Sequence, residues 1–368
     1  FTPTLFPIKK KNEGGKCLIK LSIKITLIND RLLFKVGTTH MKHTLVAIVG
    51  PTATGKTAFA LQLAREILVH PFAGTQYSGV DIISVDSRQV YAGLEILSGA
   101  DIPPHFSKSA LGTYTHTTLP ITLHGVSMRS TQEDWSVAHF KNFAVPLILQ
   151  CFQENRIPLL VGGTGLYHRQ LLQTDPQLDI PPNTTVREKA EQLTLEQLQN
   201  WLSSLDTQKL ESMNNSDRNN PRRLSRAIEI AVFVQKSGYK DGQKGAGIEK
   251  SPTLPNSIEI ITYGMNTSLE LLQKNISNRV QERFEAGALD EVRALQKLCQ
   301  TQDFSACSCL GVKEISEHLA GNCSQTECQE LWALHEFQYA KRQLTWFKKQ
   351  KDIFWLDEKE KKAYTITQ

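Results

Sequence analysis

Nothing in the 368 residues offers the eighteen or so consecutive apolar positions that a membrane-crossing helix needs; the candidate stretch, Leu18 to Ile28, is broken by Lys20 and Lys24. That stretch is also a poor signal-peptide core, so a cytoplasmic protein with no membrane partner is expected. Paired CxxC units are missing as well. Of seven cysteines, five (Cys299, Cys307, Cys309, Cys323 and Cys328) lie within residues 299–328, but without zinc-finger spacing even with His318 and His335 nearby. Reduced thiols rather than a structural metal are expected there. No internal repeat is present. Beyond residue 40 there is no basic excess either: residues 1–40 carry eight Lys or Arg against Glu13 and Asp30, which leaves −1 of the formal +5 for the remaining chain. Any nucleic-acid partner must therefore be argued from local clusters.

What is present is an α/β rhythm. Leu45 to Val49, Asp81 to Val85 and Ile157 to Val161 are short apolar runs that each end near a Gly or Asp and lead into helical patterning. They read as parallel strands in a P-loop NTPase-like sheet flanked by helices, with ligands expected at the strand ends near Gly50, Asp86 and Gly162. Met41, just before the first strand pattern, is the expected start, with residues 1–40 a disordered or non-native leader. The core is expected over 41–180 and again over 257–368, interrupted by a helical insertion and a flexible Gly/Lys/Ser/Pro-rich connection over 181–256. Ile258 to Tyr263 reads as a returning strand, followed by long helices over Leu269 to Leu298 and Gln329 to Lys349. In the last of these, Phe337, Ala340, Leu344 and Phe347 form one apolar stripe.

Gly50-Pro51-Thr52-Ala53-Thr54-Gly55-Lys56-Thr57 matches G-x-x-x-x-G-K-[ST] between a strand and the helix Lys56 to Ile67. Backbone amides of such a loop turn toward an anion, the helix N-terminus adds positive potential, Lys56 neutralises phosphate oxygens and Thr57 is a Mg²⁺ ligand. The loop names a polyphosphate and leaves its chemistry open. Two basic clusters follow. Asn220 and Pro221 read as N-cap and first helical position, placing Arg222 and Arg226 on one face, with Arg223 alongside, while Leu224, Ile228 and Ala231 face a core. Lys341, Arg342, Lys348, Lys349 and Lys351 form a second run. Each is a phosphate-binding surface or a solvated face.

Four motifs in order, Asp86-Ser87-Arg88-Gln89-Val90-Tyr91, Val161-Gly162-Gly163-Thr164-Gly165-Leu166-Tyr167, Asn220-Pro221-Arg222-Arg223-Leu224-Ser225-Arg226 and Tyr339 to Phe347, resemble the tRNA dimethylallyltransferases from about Leu45 to Leu356. The resemblance implies transfer of a dimethylallyl group from its diphosphate to N6 of adenine 37 beside the tRNA anticodon, with Mg²⁺ as cofactor and a monomer as the working form. It implies Asp86 as general base, and Lys56, Thr164 and Arg279 as groups that stabilise the departing diphosphate. Asp86 reads alternatively as a magnesium-associated acid. Thr164 can equally cap the next helix. By the same resemblance, Asp86, Ser87, Arg88, Gln89, Arg187, the stretch Arg222, Arg223, Leu224, Ser225 and Arg226, and the stretch Ser308, Cys309, Leu310, Gly311, Val312 and Lys313 contact the tRNA, together with Lys341 and Arg342. The insertion is then the tRNA-binding part, and the target base must leave its stack to reach the donor. The chain departs from the family in two places: Ser98-Gly99-Ala100-Asp101 stands where a lysine-bearing Gly-Thr-Ala-Lys is usual, and Val312 where Tyr is common. With no Cys/His zinc-finger tail, a bacterial type is expected. A small-molecule kinase or an adenylate isopentenyltransferase are the rival readings of the same loop.

Overall fold

In the computed structural model, residues 43–100, 102–173, 175–238, 251–299, 304–357 and 360 are described. The expected leader, Met41, Asp101 and most of the 237–256 connection lie outside them. The chain divides into two compact units, one of residues 1–135, 147–165 and 255–368, the other of residues 136–146 and 166–254. The second unit thus starts earlier than 181 and takes in part of a preceding helix.

The first unit is built on an eight-stranded sheet: β1 Thr44–Val49, β2 Gly79–Ser84, β3 Phe106–Ala110, β4 Thr113–His116, β5 Ile121–His124, β6 Arg156–Gly162, β7 Glu259–Met265 and β8 Ile353–Leu356. Their order is β3-β4-β5-β2-β6-β1-β7-β8. From β5 to β8 all pairs are parallel, and β3-β4-β5 form an antiparallel edge. β1 is buried at every position, as a central strand covered on both faces must be. That is why it reads as a continuous apolar run rather than an alternating one. The register sets Val49 beside Gly162 and Gly264, and Ser84 beside Val161, so the ends of β1, β2 and β6 finish at one level. Strands β4 and β8 are only four residues long and β3 is mostly exposed, so none of them stands out as an extended buried run.

Helix α1 (Lys56–Val69) buries Phe59, Ala60, Leu63, Ala64 and Ile67, a single stripe at helical spacing, against the sheet. A short helix α2 (Glu95–Ser98) precedes the β3–β5 edge, and α3 (Val137–Gln153) and α4 (Gly165–Leu172) flank β6 in the chain. The second unit then adds α5 (Thr184–Glu191), α6 (Leu195–Leu205), α7 (Thr207–Ser212), α8 (Asn215–Arg218) and α9 (Pro221–Ser237). Asn220 caps α9 by accepting from the Arg223 amide, and Pro221 stands in its first turn. Leu224, Ala227, Ile228 and Ala231 of α9 pack with Leu198 and Leu202 of α6 and Val186 and Ala190 of α5.

After β7 come α10 (Leu269–Ala286), α11 (Ala288–Cys299), α12 (Val312–Leu319) and α13 (Gln325–Lys348). The single helix expected over Leu269 to Leu298 is two, because Gly287 adopts φ +112° and ends α10 with a left-handed cap. α13 begins at Ser324, which forms a capping box with Glu327. Its buried face keeps Ala340, Leu344 and Phe347 of the expected stripe but also holds Glu336 and Gln343. The cysteine cluster differs from expectation: Cys299 and Cys307 are joined in a disulfide. Cys309 and Cys328 are buried free thiols. Among the described residues no helix is long and apolar enough to cross a membrane.

Candidate active site

The loop after β1 wraps so that Lys56 lies back across it: its Nζ donates to the Pro51 carbonyl at 2.5 Å, and the Thr54 hydroxyl donates to the same oxygen at 2.9 Å. Thr52 through Thr57, which include the start of α1, line a cavity of about 970 Å³. All of that cavity's lining comes from the first unit.

Asp86 enters the same cavity from the end of β2. One of its oxygens, Oδ1, accepts from the backbone amides of Arg88 at 2.8 Å and Gln89 at 3.3 Å, which folds Asp86 to Gln89 into a tight turn. Burial pushes its carboxyl above the ordinary aspartate range, against the pull of those two amides and of the Lys56 and Arg88 charges. The loop after β6 closes on this turn. Gly162 has no room for a side chain, since a Cβ there would lie 2.1 Å from the Val85 carbonyl oxygen. The Thr164 hydroxyl accepts from the Ser87 amide at 3.3 Å. Tyr339 of α13 also lines the cavity and hydrogen-bonds Thr164 and Gln343; burial and the Asp86 charge push its phenol up to about 12.

Of the two arginines on α10, only Arg279 turns its guanidinium to the loop, donating to the Thr52 hydroxyl at 3.4 Å. Arg283 is held inside the protein by Glu336 at 2.6 Å, the Leu97 carbonyl at 3.1 Å and the Arg279 carbonyl at 3.1 Å, with its Cζ 4.9 Å from the Trp332 ring centre. The remaining wall mixes polar and apolar groups: Arg88, Ser308 and Arg342 beside Leu61, Leu97, Ile102, Pro103, Pro104 and Leu310.

The structure therefore gathers Lys56, Thr57, Asp86, Ser87, Arg88, Gln89, Arg279, Ser308, Cys309, Leu310 and Arg342 around one cavity. Several expected tRNA contacts are placed otherwise. Leu224 is fully buried in the second unit's core, and Gly311 and Val312 are buried, so neither Leu224 nor Val312 presents its side chain to solvent. Arg226 is tied to Glu229 at 3.0 Å and to the carbonyls of Gln177 and Ile180, so its guanidinium is engaged within the second unit. Arg187 shares Glu229 at 2.6 Å, and Arg223 pairs with Asp217. Arg222, Lys313, Lys341 and Arg342 are exposed. Glu336 and the inward role of Arg283 were not anticipated; Tyr339 and Gln343 both stood unremarked inside a recognised motif.

A glycine-rich loop between β1 and α1, opening with Asp86 onto one cavity of a mostly parallel sheet flanked by helices, defines a P-loop-like fold. The family described as IPP transferase matches residues 89–350, and the chain belongs to that family. It is 32% identical over 325 residues to tRNA dimethylallyltransferase 1 of Syntrophus aciditrophicus, covering 86% of this chain and 94% of that one. The crystal structure of the full-length tRNA isopentenylpyrophosphate transferase from Bacillus halodurans is 29% identical, with a TM-score of 0.57 over 88% of this chain and 94% of that one. A eukaryotic dimethylallyltransferase crystallised acting on tRNA shares the fold at 22% identity, with a TM-score of 0.64 over 86% of this chain and 74% of that one.

Proposed function

We propose that this chain, a prenyltransferase acting on tRNA by its family, moves the dimethylallyl group of dimethylallyl diphosphate to N6 of adenine 37 in the anticodon stem-loop, as a cytoplasmic monomer. The observation that carries the reading is the meeting of the phosphate loop and Asp86 in one cavity whose wall also offers Leu97, Ile102, Pro103 and Pro104 to an apolar group. The exocyclic amine of adenine is a weak nucleophile. As its nitrogen bonds to the allylic carbon, the carbon–oxygen bond to diphosphate breaks and the oxygen keeps the electron pair. The N6 proton passes to Asp86, whose second carboxylate oxygen is not engaged by the turn. Its raised pKa makes it a better acceptor than an ordinary aspartate.

Charge on the departing diphosphate is met by the loop amides, Lys56 and Arg279. Thr57 lines the same space, and its hydroxyl beside the phosphate loop fits a Mg²⁺ ion that keeps most of its own waters. Thr57 would hold it, and when bound it supplies further neutralisation of the leaving group. For the RNA, Arg88, Ser308 and Arg342 stand at the cavity, and Lys313, Lys341 and Arg222 offer exposed cations for phosphates.

The test is incubation with dimethylallyl diphosphate, Mg²⁺ and unmodified tRNA bearing A37, followed by mass spectrometry of the nucleosides. Prenylated adenosine at position 37 is expected. Absence of product together with ATP-dependent phosphorylation of a small acceptor would replace this reading with a kinase, and prenylation of free AMP alone would remove the tRNA.

A further inference from the structure

Glu336 and Gln343 lie seven residues apart on α13, so two helical turns bring them to one face, and that face is the buried one. Glu336 is 4% exposed and Gln343 7%. Both are aimed at one residue of the phosphate loop. The Thr52 amide donates to Gln343 Oε1 at 2.9 Å, and the Thr52 hydroxyl donates to Glu336 Oε1 at 3.3 Å. Each of the two is also anchored at its other end. Gln343 Nε2 donates to the Gly163 carbonyl at 3.0 Å, and Glu336 Oε2 accepts from Arg283 at 2.6 Å. Gln343 therefore ties the loop after β1 to the loop after β6 through a single amide whose two ends are both used.

Packing alone does not call for this. A buried ion pair and a buried amide cost desolvation, and an apolar face would join α13 to the sheet at least as well. Within the loop, Thr54 and Lys56 donate to the Pro51 carbonyl, whereas the Thr52 amide and hydroxyl are held by groups of α13 and α10.

We infer that Gln343 and Glu336 are positioning residues of the diphosphate site, holding Thr52 by its amide and its hydroxyl so that the loop is shaped for the anion before the anion arrives. The inference rests on the diphosphate reading above. Ordering the loop in advance removes a cost that binding would otherwise bear. Arg283 also borders the cavity, but its guanidinium is engaged by three protein groups, and it acts on Thr52 through Glu336.

Gln343→Leu keeps the volume and removes the hydrogen bonds to Thr52 and Gly163, together with the one to the Tyr339 hydroxyl. Four quantities are measured on it: calorimetric affinity for inorganic pyrophosphate, KM for the allylic diphosphate, KM for tRNA, and the thermal midpoint. Pyrophosphate affinity and donor KM are expected to worsen about tenfold, the loss of roughly one well-made hydrogen bond's worth of organisation. The tRNA KM and kcat stay within about twofold, since the loss falls on donor binding in ground and transition state alike. A lowered thermal midpoint with unchanged pyrophosphate affinity would overturn the inference, and so would equal shifts in both KM values. If Gln343→Leu fails to fold, Thr52→Val carries the test from the loop side. Pyrophosphate binding should weaken, and adding Glu336→Gln should weaken that binding little further, because Glu336 reaches the loop through the Thr52 hydroxyl already removed; its lost ion pair with Arg283 is read separately, in the thermal midpoint. Additive losses would overturn the Glu336 half. Wild-type protein that binds no pyrophosphate at all would instead sink the diphosphate reading, leaving a separate signature.

Discussion

Asp86→Asn exchanges one carboxylate oxygen for an amide nitrogen and leaves the other oxygen where it was. Oδ1 already accepts from the amides of Arg88 and Gln89, and the asparagine oxygen can do the same, so the turn from Asp86 to Gln89 should persist. What disappears is the capacity to take a proton. A positioned general base contributes about 10²–10⁴ in rate, or roughly 3–5 kcal/mol of barrier. The variant should therefore transfer the prenyl group more slowly by that factor under single-turnover conditions with saturating donor and tRNA. Pyrophosphate affinity should hold or improve slightly, since a negative charge has left an anion-binding cavity. The pH profile supplies an independent check. In the wild type the rate rises with pH until Asp86 ionises, with its break above the ordinary aspartate range because burial raises that carboxyl; in the variant the rise vanishes. A single-turnover rate within about tenfold of wild type, or an unchanged acid limb, would remove Asp86 as the base.

Further outcomes follow from other parts of the structure. Arg222→Ala should weaken tRNA binding and flatten its salt dependence with an unchanged thermal midpoint, whereas Arg226→Ala, which strips one of two arginines from buried Glu229, should cost about 1–2 kcal/mol of stability in denaturant titration. The reverse pattern would refute the assignment. Asp81, hydrogen-bonded by His124 at 2.8 Å and Arg156 at 2.5 Å, has its carboxyl lowered because these partners outweigh the upward push of burial. Its contribution to stability is complete above the unfolded aspartate pKa and is lost as pH falls through the lowered folded value; the acid limb of a stability–pH curve should flatten in Asp81→Asn. Gly162→Ala would drive a methyl group against the Val85 carbonyl and should cost about 1–3 kcal/mol in thermal or denaturant melts, with transfer activity falling more than stability because Val85 leads directly into Asp86.

The features whose meaning is local can be read from the chain alone. A buried central strand must be apolar throughout, and a phosphate loop must carry its glycines and Lys56 at fixed offsets from a helix start, so β1, α1 and the loop between them were legible. Asp86 was legible for the same reason: it ends a strand in a sheet whose strand ends carry the ligands. An amphipathic pattern likewise placed Leu224 and Ile228 toward a core, and Asn220 with Pro221 at a helix start.

What tertiary structure alone decided is which polar side chain meets which. Periodicity assigns a face to Glu336 and Gln343 but is silent on the backbone opposite that face, and here it is Thr52, nearly three hundred residues earlier in the chain. Arg222 and Arg226 share a helical face, yet Arg226 ends on Glu229 and two carbonyls while Arg222 stays in solvent. Arg279 and Arg283 are one turn apart, yet the loop receives the first and Glu336 the second. Charge type and helical spacing state what a side chain can bind. Its partner is set by distances across the fold, which no local pattern encodes.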